Sequence, residues 1–116
     1  WVNLHQQGDF NEVHQHYNSV ISGVWYLSAE ENTGDISFMR DNRELFGNTF
    51  AFPIDTTNNY NSGCMTFTPK TGDLFIFPSC LKHRVYPNKE KSDRLSLAFN
   101  CLVKGFVESE GVMVDI

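Results

Sequence analysis

From residue 94 to residue 103 the chain alternates, with Leu95, Leu97, Phe99, Cys101 and Val103 in one set and Arg94, Ser96, Ala98, Asn100 and Leu102 in the other. Successive side chains of an extended strand point to opposite faces, so this pattern specifies a strand with one apolar face and one that is mostly polar or small. In an open sheet the second face would be wetted by solvent. In a barrel or a two-sheet jelly roll it would line a polar cavity. Residues 20–28 are β-branched, aromatic or small, with Ser22, Val24 and Tyr26 on one face and Ile21, Trp25 and Leu27 on the other. Shorter β-type runs lie at 2–5, 36–39, 65–67, 74–77 and 112–114, separated by turn-forming clusters at 6–9, 30–35, 69–73 and 87–89. Residues 20–28 and 36–39 read as a hairpin, and the apolar run 74–77 as a buried strand. No stretch has a helical period and no repeat is visible, so the chain is expected to form an all-β barrel or jelly roll.

A chain of 116 residues has room for one domain. It opens on Trp1 rather than methionine and is read as a single domain, residues 1–116, lacking N-terminal residues of a longer protein. The net charge is −5 and the basic residues are scattered, which excludes the electrostatic footprint of a nucleic-acid binder. No apolar run approaches the length a bilayer requires, so a soluble, cytoplasmic protein is expected, in the host cytoplasm if a phage encodes it. Cys64, Cys80 and Cys101 are odd in number and lack a Cys-x-x-Cys pair, which favours reduced thiols packed as small hydrophobes. Residues 40–63 form the least patterned segment, with Phe46, Phe50, Phe52 and Tyr60 either capping a pocket as a lid or anchoring the loop on the core.

The chemistry concentrates at His14 and His16. Imidazoles at i and i+2 share a face of an extended segment, and a third, His83, lies beside another strand far along the chain. Ligands gathered from distant segments are the mark of a metal site, although a lone His-x-His pair is more often a plain surface feature. Glu12, two residues before His14, is the alternative third ligand, leaving His16 to a supporting role. His5 reads as a surface or packing histidine. Arg94 sits on the small-residue face of its strand, where burial is costly unless an anion meets it; a structural ion pair is the alternative.

The order of these parts resembles the 2-oxoglutarate and Fe(II)-dependent oxygenases, and more narrowly the compact members found in bacteria and phages. The resemblance rests on Asn11-x-x-His14-x-His16, Ser22-Gly23-Val24-x-Tyr26, the run 72–79, His83 and Arg94-x-Ser96, and it extends from Asn3 to Asn100. It implies a double-stranded β-helix with a metal at its open end, held by His14 and His83. It further implies that Arg94, eleven residues after His83, grips the distal carboxylate of 2-oxoglutarate, with Ser96 and Tyr26 beside it. Asn3 and Asn100 either bond the cosubstrate or complete an interior polar network. The cofactors implied are Fe(II), 2-oxoglutarate and dioxygen, and the reaction is hydroxylation of a C–H bond in an amino-acid side chain, a peptide or a small molecule.

One position departs from the family pattern. The family carries His-x-Asp or His-x-Glu, whereas this chain has His16. Three neutral histidines would leave a ferrous ion doubly charged, where two histidines and a carboxylate leave a single net charge. The preferred ligand set is His14, His16 and His83. Gly8 followed by His14-x-His16, with Pro69-x-x-Gly72-Asp73 and His83, also resembles the two cupin motifs, so a three-histidine metalloenzyme that does not use 2-oxoglutarate is a rival. A non-catalytic β-module for binding or structure is another. Against the cupin-type rival, the glutamate expected shortly after the histidine pair is absent and Arg94-x-Ser96 is unexplained; the non-catalytic module would need neither metal nor cosubstrate.

Overall fold

The computed structural model describes residues 1–40, 55–58, 60–109 and 112–115, and among them there are ten strands and no helix. They are β1 (Val2–His5), β2 (Asn11–His14), β3 (Ile21–Ser28), β4 (Ile36–Met39), β5 (Cys64–Phe67), β6 (Leu74–Pro78), β7 (His83–Val85), β8 (Arg94–Cys101), β9 (Phe106–Ser109) and β10 (Val112–Asp115). One sheet has the order β1-β8-β3-β6, the second β2-β7-β4-β5, and β9 pairs with β10 in a third. All the pairings are antiparallel. The pairs β1/β8, β2/β7, β3/β6 and β4/β5 are those of one long hairpin, β1 to β4 against β5 to β8, wound so that successive strands pass from sheet to sheet. Two further pairings, β3 with β8 and β4 with β7, complete the sheets. This is the double-stranded β-helix, or jelly roll.

The winding overturns one expectation. Residues 20–28 and 36–39 do not form a hairpin: β3 and β4 lie in opposite sheets, joined by a corner in which Thr33 Oγ1 donates to Glu30 O at 2.7 Å and Gly34 takes φ of +102°. A polar turn marks a change of direction but does not say whether the next strand pairs with the last or crosses over it. Residues 11–14, absent from the β-type runs read in the sequence, also form a strand, β2, too short and polar to announce itself. The expectation for 40–63 falls mostly outside the described residues; what is seen includes its base, where Arg40 N–H donates to Gly63 O at 2.9 Å, and Tyr60, which is 89% exposed and does not anchor the segment on the core.

Between the sheets lie Phe38, Phe75 and Phe77, with Phe38 and Phe77 at 4.9 Å between ring centroids, and Phe67, itself exposed, covers their rim at 5.5 Å from Phe75. Tyr26, Ile36 and Val85 extend this core. The alternation of β3 separates two faces but does not say which is inner; the structure buries Ser22 and Tyr26 and leaves Ile21 and Trp25 exposed. The run 74–77 is not buried throughout, because β6 is an edge strand that turns Leu74 and Ile76 outward and Phe77 inward. All three cysteines are free, and all are exposed rather than packed inside. Phe99 lies over Gly23 on the neighbouring strand, so closely that a Cβ there would sit 2.2 Å from its ring.

Candidate metal centre and anion pocket

β2 and β7 are neighbours in the second sheet, and their register sets His14 opposite His83. Between the paired positions Asn11/Val85 and His14/His83, β2 has one more residue than β7, which is a β-bulge. The bulge breaks the two-residue periodicity. Asn11 and His14 line the interior, and Glu12, which an unbroken strand would place on the same side as His14, is exposed. Glu12 is accordingly absent from the donor group, in which the ligand atoms of His14, His16 and His83 all lie within 4.8 Å of one another.

His16 follows the strand and is placed by its backbone, whose N–H donates to Ser79 O at 2.9 Å. Ser79 is held in turn by Ser22, whose Oγ lies 2.8 Å from Ser79 Oγ and donates to Asn100 Oδ1 at 2.7 Å. Asn100 therefore belongs to this supporting network and does not line the cavity; it is the one sequence-selected site residue that the fold does not bring there.

Two of the three imidazoles are oriented by backbone carbonyls two residues earlier. His14 Nδ1 is 2.7 Å from Glu12 O and His83 Nδ1 is 2.9 Å from Leu81 O. A carbonyl can only accept, so each Nδ1 carries the proton and each Nε2 presents its lone pair, the arrangement that supports metal ligation. Burial pushes His83 down to about 4, with His14 and His16 adding to the effect, and burial followed by the His14 charge lowers His16. Phe77 and Phe38 pack against His83 at 4.8 and 6.0 Å between centroids.

The same cavity, about 290 Å3, continues to the first sheet, where Asn3, Ser96 and Tyr26 stand in one row across β1, β8 and β3. Burial raises the Tyr26 phenol to about 12, so it remains protonated. One row further, Arg94 is 2 % exposed. Its Nη1 donates to Thr33 O at 3.0 Å and to Gly34 O at 2.9 Å, Nη2 contacts His5 Nδ1, and the Tyr26 ring centroid is 5.7 Å from Cζ. None of these groups is a carboxylate. Nε is buried without a partner. Of five guanidinium hydrogens, three are thus accounted for, leaving Nε–H and one on Nη2, the pair that grips a carboxylate side-on.

Residues 1–100 match the family described as "putative 2OG-Fe(II) oxygenase". The chain belongs to this family. Among solved structures, it is similar to an oxidoreductase of the 2OG-Fe(II) oxygenase family from Burkholderia pseudomallei, with a TM-score of 0.62 and 14% identity over 87% of this chain. That match spans 44% of the Burkholderia protein. No curated protein matches the chain.

The donor sets fit what a 2OG-Fe(II) oxygenase binds. Three imidazoles suit a divalent transition metal, and the unpartnered Nε of Arg94 suits an anion. Two residues of this site escaped the sequence reading. His5 is buried against Arg94 and is neither a surface residue nor plain packing. Gly34 was visible only as a turn residue, yet a Cβ on it would lie 2.3 Å from Tyr86 O and 2.8 Å from Arg94 Nη1. Its positive φ was the available signal, one that a Gly-Asp turn carries in sequence.

Proposed function

We propose that the chain is a 2-oxoglutarate- and Fe(II)-dependent dioxygenase that hydroxylates a C–H bond of an amino-acid side chain, a peptide or a small molecule. The observation that carries this reading is that one cavity is lined both by the three-histidine donor set and by a buried arginine with an unpartnered Nε. Iron, when bound, couples the oxidative decarboxylation of 2-oxoglutarate by dioxygen to oxidation of the second substrate.

The chain's own residues have narrower tasks. His14, His16 and His83 would hold the ion. The Glu12 and Leu81 carbonyls keep the proton on Nδ1 of His14 and His83, and the lowered pKa of His83 keeps that ring ready to ligate at neutral pH. Arg94 would receive the distal carboxylate through Nε–H and its remaining Nη2 hydrogen, with Ser96 and Tyr26 lining the same end of the cavity. Phe38 and Phe77 exclude water from the inner side of His83. A donor set without a carboxylate leaves the ion its full double charge, which strengthens its attraction for a dianionic cosubstrate.

Anaerobic titration of the Fe(II)-loaded protein with 2-oxoglutarate tests this directly. A visible charge-transfer band that saturates at one equivalent is the expected result; iron retained with no band overturns it. The all-histidine donor set also favours a second reading, a cupin-type metalloenzyme that does not use 2-oxoglutarate. That protein would bind metal, give no band and leave Arg94 without a ligand. A non-catalytic module would bind neither.

A further inference from the structure

His5 and Arg94 are register partners on β1 and β8, and both line the cavity. The imidazole faces Arg94 from β8, Asn11 from β2 through a side-chain hydrogen bond, and the charge of Asp9 from the loop between β1 and β2. Its backbone is pinned as well, since Asn88 Nδ2 donates to His5 O at 3.1 Å. A guanidinium nitrogen can only donate, so the Nδ1 that meets Nη2 must carry a lone pair. We propose that His5 is a positioning residue for Arg94: its neutral imidazole fixes the guanidinium so that Nε–H faces the cavity, and its protonation switches off capture of the anion. The inference rests on reading Arg94 as the anchor for the distal carboxylate of 2-oxoglutarate.

A proton on Nδ1 sets two donors and two positive charges face to face. Arg94 cannot retreat without breaking its bonds to the Thr33 and Gly34 carbonyls, which come from the corner between β3 and β4. The added charge would also attract a dianion, but an attraction without orientation does not restore the two-point grip. Burial, then the Arg94 charge, lowers the His5 pKa, while Asp9 and Asn11 oppose the shift. The neutral, accepting form therefore prevails at neutral pH.

Two measurements on the full chain test the proposal. In 15N-edited NMR of the metal-free protein, His5 should show an unprotonated Nδ1 and titrate below an ordinary histidine; a protonated Nδ1 at neutral pH overturns the assignment whatever the ligand. In calorimetry of the Zn(II)-loaded protein with 2-oxoglutarate between about pH 5 and 7.5, with zinc content checked at each point, wild-type affinity should fall by up to about tenfold per pH unit below the His5 titration. In His5→Asn the amide oxygen can accept from Arg94 and does not titrate, so a pH slope shallower by one proton is expected, whatever the affinity at neutral pH; His5→Gln serves if that variant is unfolded by circular dichroism. Equal slopes in wild type and variant, or a wild-type affinity that rises in acid relative to the variant, overturn the switch while leaving the oxygenase reading intact. Failure of 2-oxoglutarate to bind wild type at any pH would sink that reading, and this one with it.

Discussion

The two ends of the cavity hold their functional groups by different means. At the histidine end, orientation is local: His14 and His83 are each fixed by a carbonyl two residues earlier on the same segment. At the arginine end it is long-range: the groups that hold Arg94 lie 60, 61 and 89 residues away in sequence. A metal ligand needs only a free lone pair at the right distance, which one backbone bond and a strand edge can provide. A buried guanidinium needs most of its donors satisfied by several elements at once, because an unmet charge in the interior costs several kcal/mol. Damage should therefore stay confined at the first end and spread at the second.

Exchange of function between the ends gives the largest contrast. His83→Ala should abolish stoichiometric metal by mass spectrometry, whereas Arg94→Ala should retain metal and weaken 2-oxoglutarate binding by roughly 30- to 700-fold, the equivalent of about 2–4 kcal/mol for one partner of a buried charged pair. Pyruvate, which lacks the distal carboxylate, should bind both proteins poorly and alike. Iron retained in His83→Ala, or unchanged 2-oxoglutarate binding in Arg94→Ala, breaks the division.

Gly34→Ala probes the long-range end without touching the arginine. The new methyl group meets a backbone carbonyl, which cannot swing aside, and it strains a positive φ. A loss of about 2–4 kcal/mol in denaturant unfolding and a weaker anion site are expected. A variant with wild-type stability and 2-oxoglutarate affinity would show that Arg94 does not depend on this corner.

Acid should act on the histidine end. His83 has a folded pKa of about 4 against an ordinary 6.5, so between these values the unfolded chain takes up a proton that the folded site refuses. Its contribution to stability is complete above 6.5 and is lost as pH falls toward 4. With chelator present, stability should therefore decline by at most about 1.4 kcal/mol per pH unit through that window, read as a falling Tm. His83→Asn should flatten the profile. An equally steep decline in the variant would assign it to other groups.

The smallest effect belongs to Glu12. Its exposed carboxylate lies outside the donor group, so Glu12→Gln should leave metal affinity unchanged, and His16→Asp, which restores the family's usual charge pattern, should keep iron. Loss of metal in Glu12→Gln together with retention in His16→Ala would reverse the ligand assignment.

Sequence alone determined the strand character of β3 and β8, which side chains share a face with Tyr26, Arg94 and Ser96, and the candidacy of His14, His16 and His83 as ligands; that those faces turn inward was decided by the closing of the two sheets. Alternation on a strand and imidazole chemistry are properties of a few neighbouring residues. It could not separate Glu12 from His16, because the bulge that turns Glu12 outward is created by pairing with β7. Nor could it bring His5 and Gly34 to Arg94, or take Asn100 away from the cavity. Those outcomes depend on which strands pass from one sheet to the other, and that choice is made by burial of the phenylalanines between the sheets and by closure of the long hairpin, where every residue's neighbours come from elsewhere in the chain.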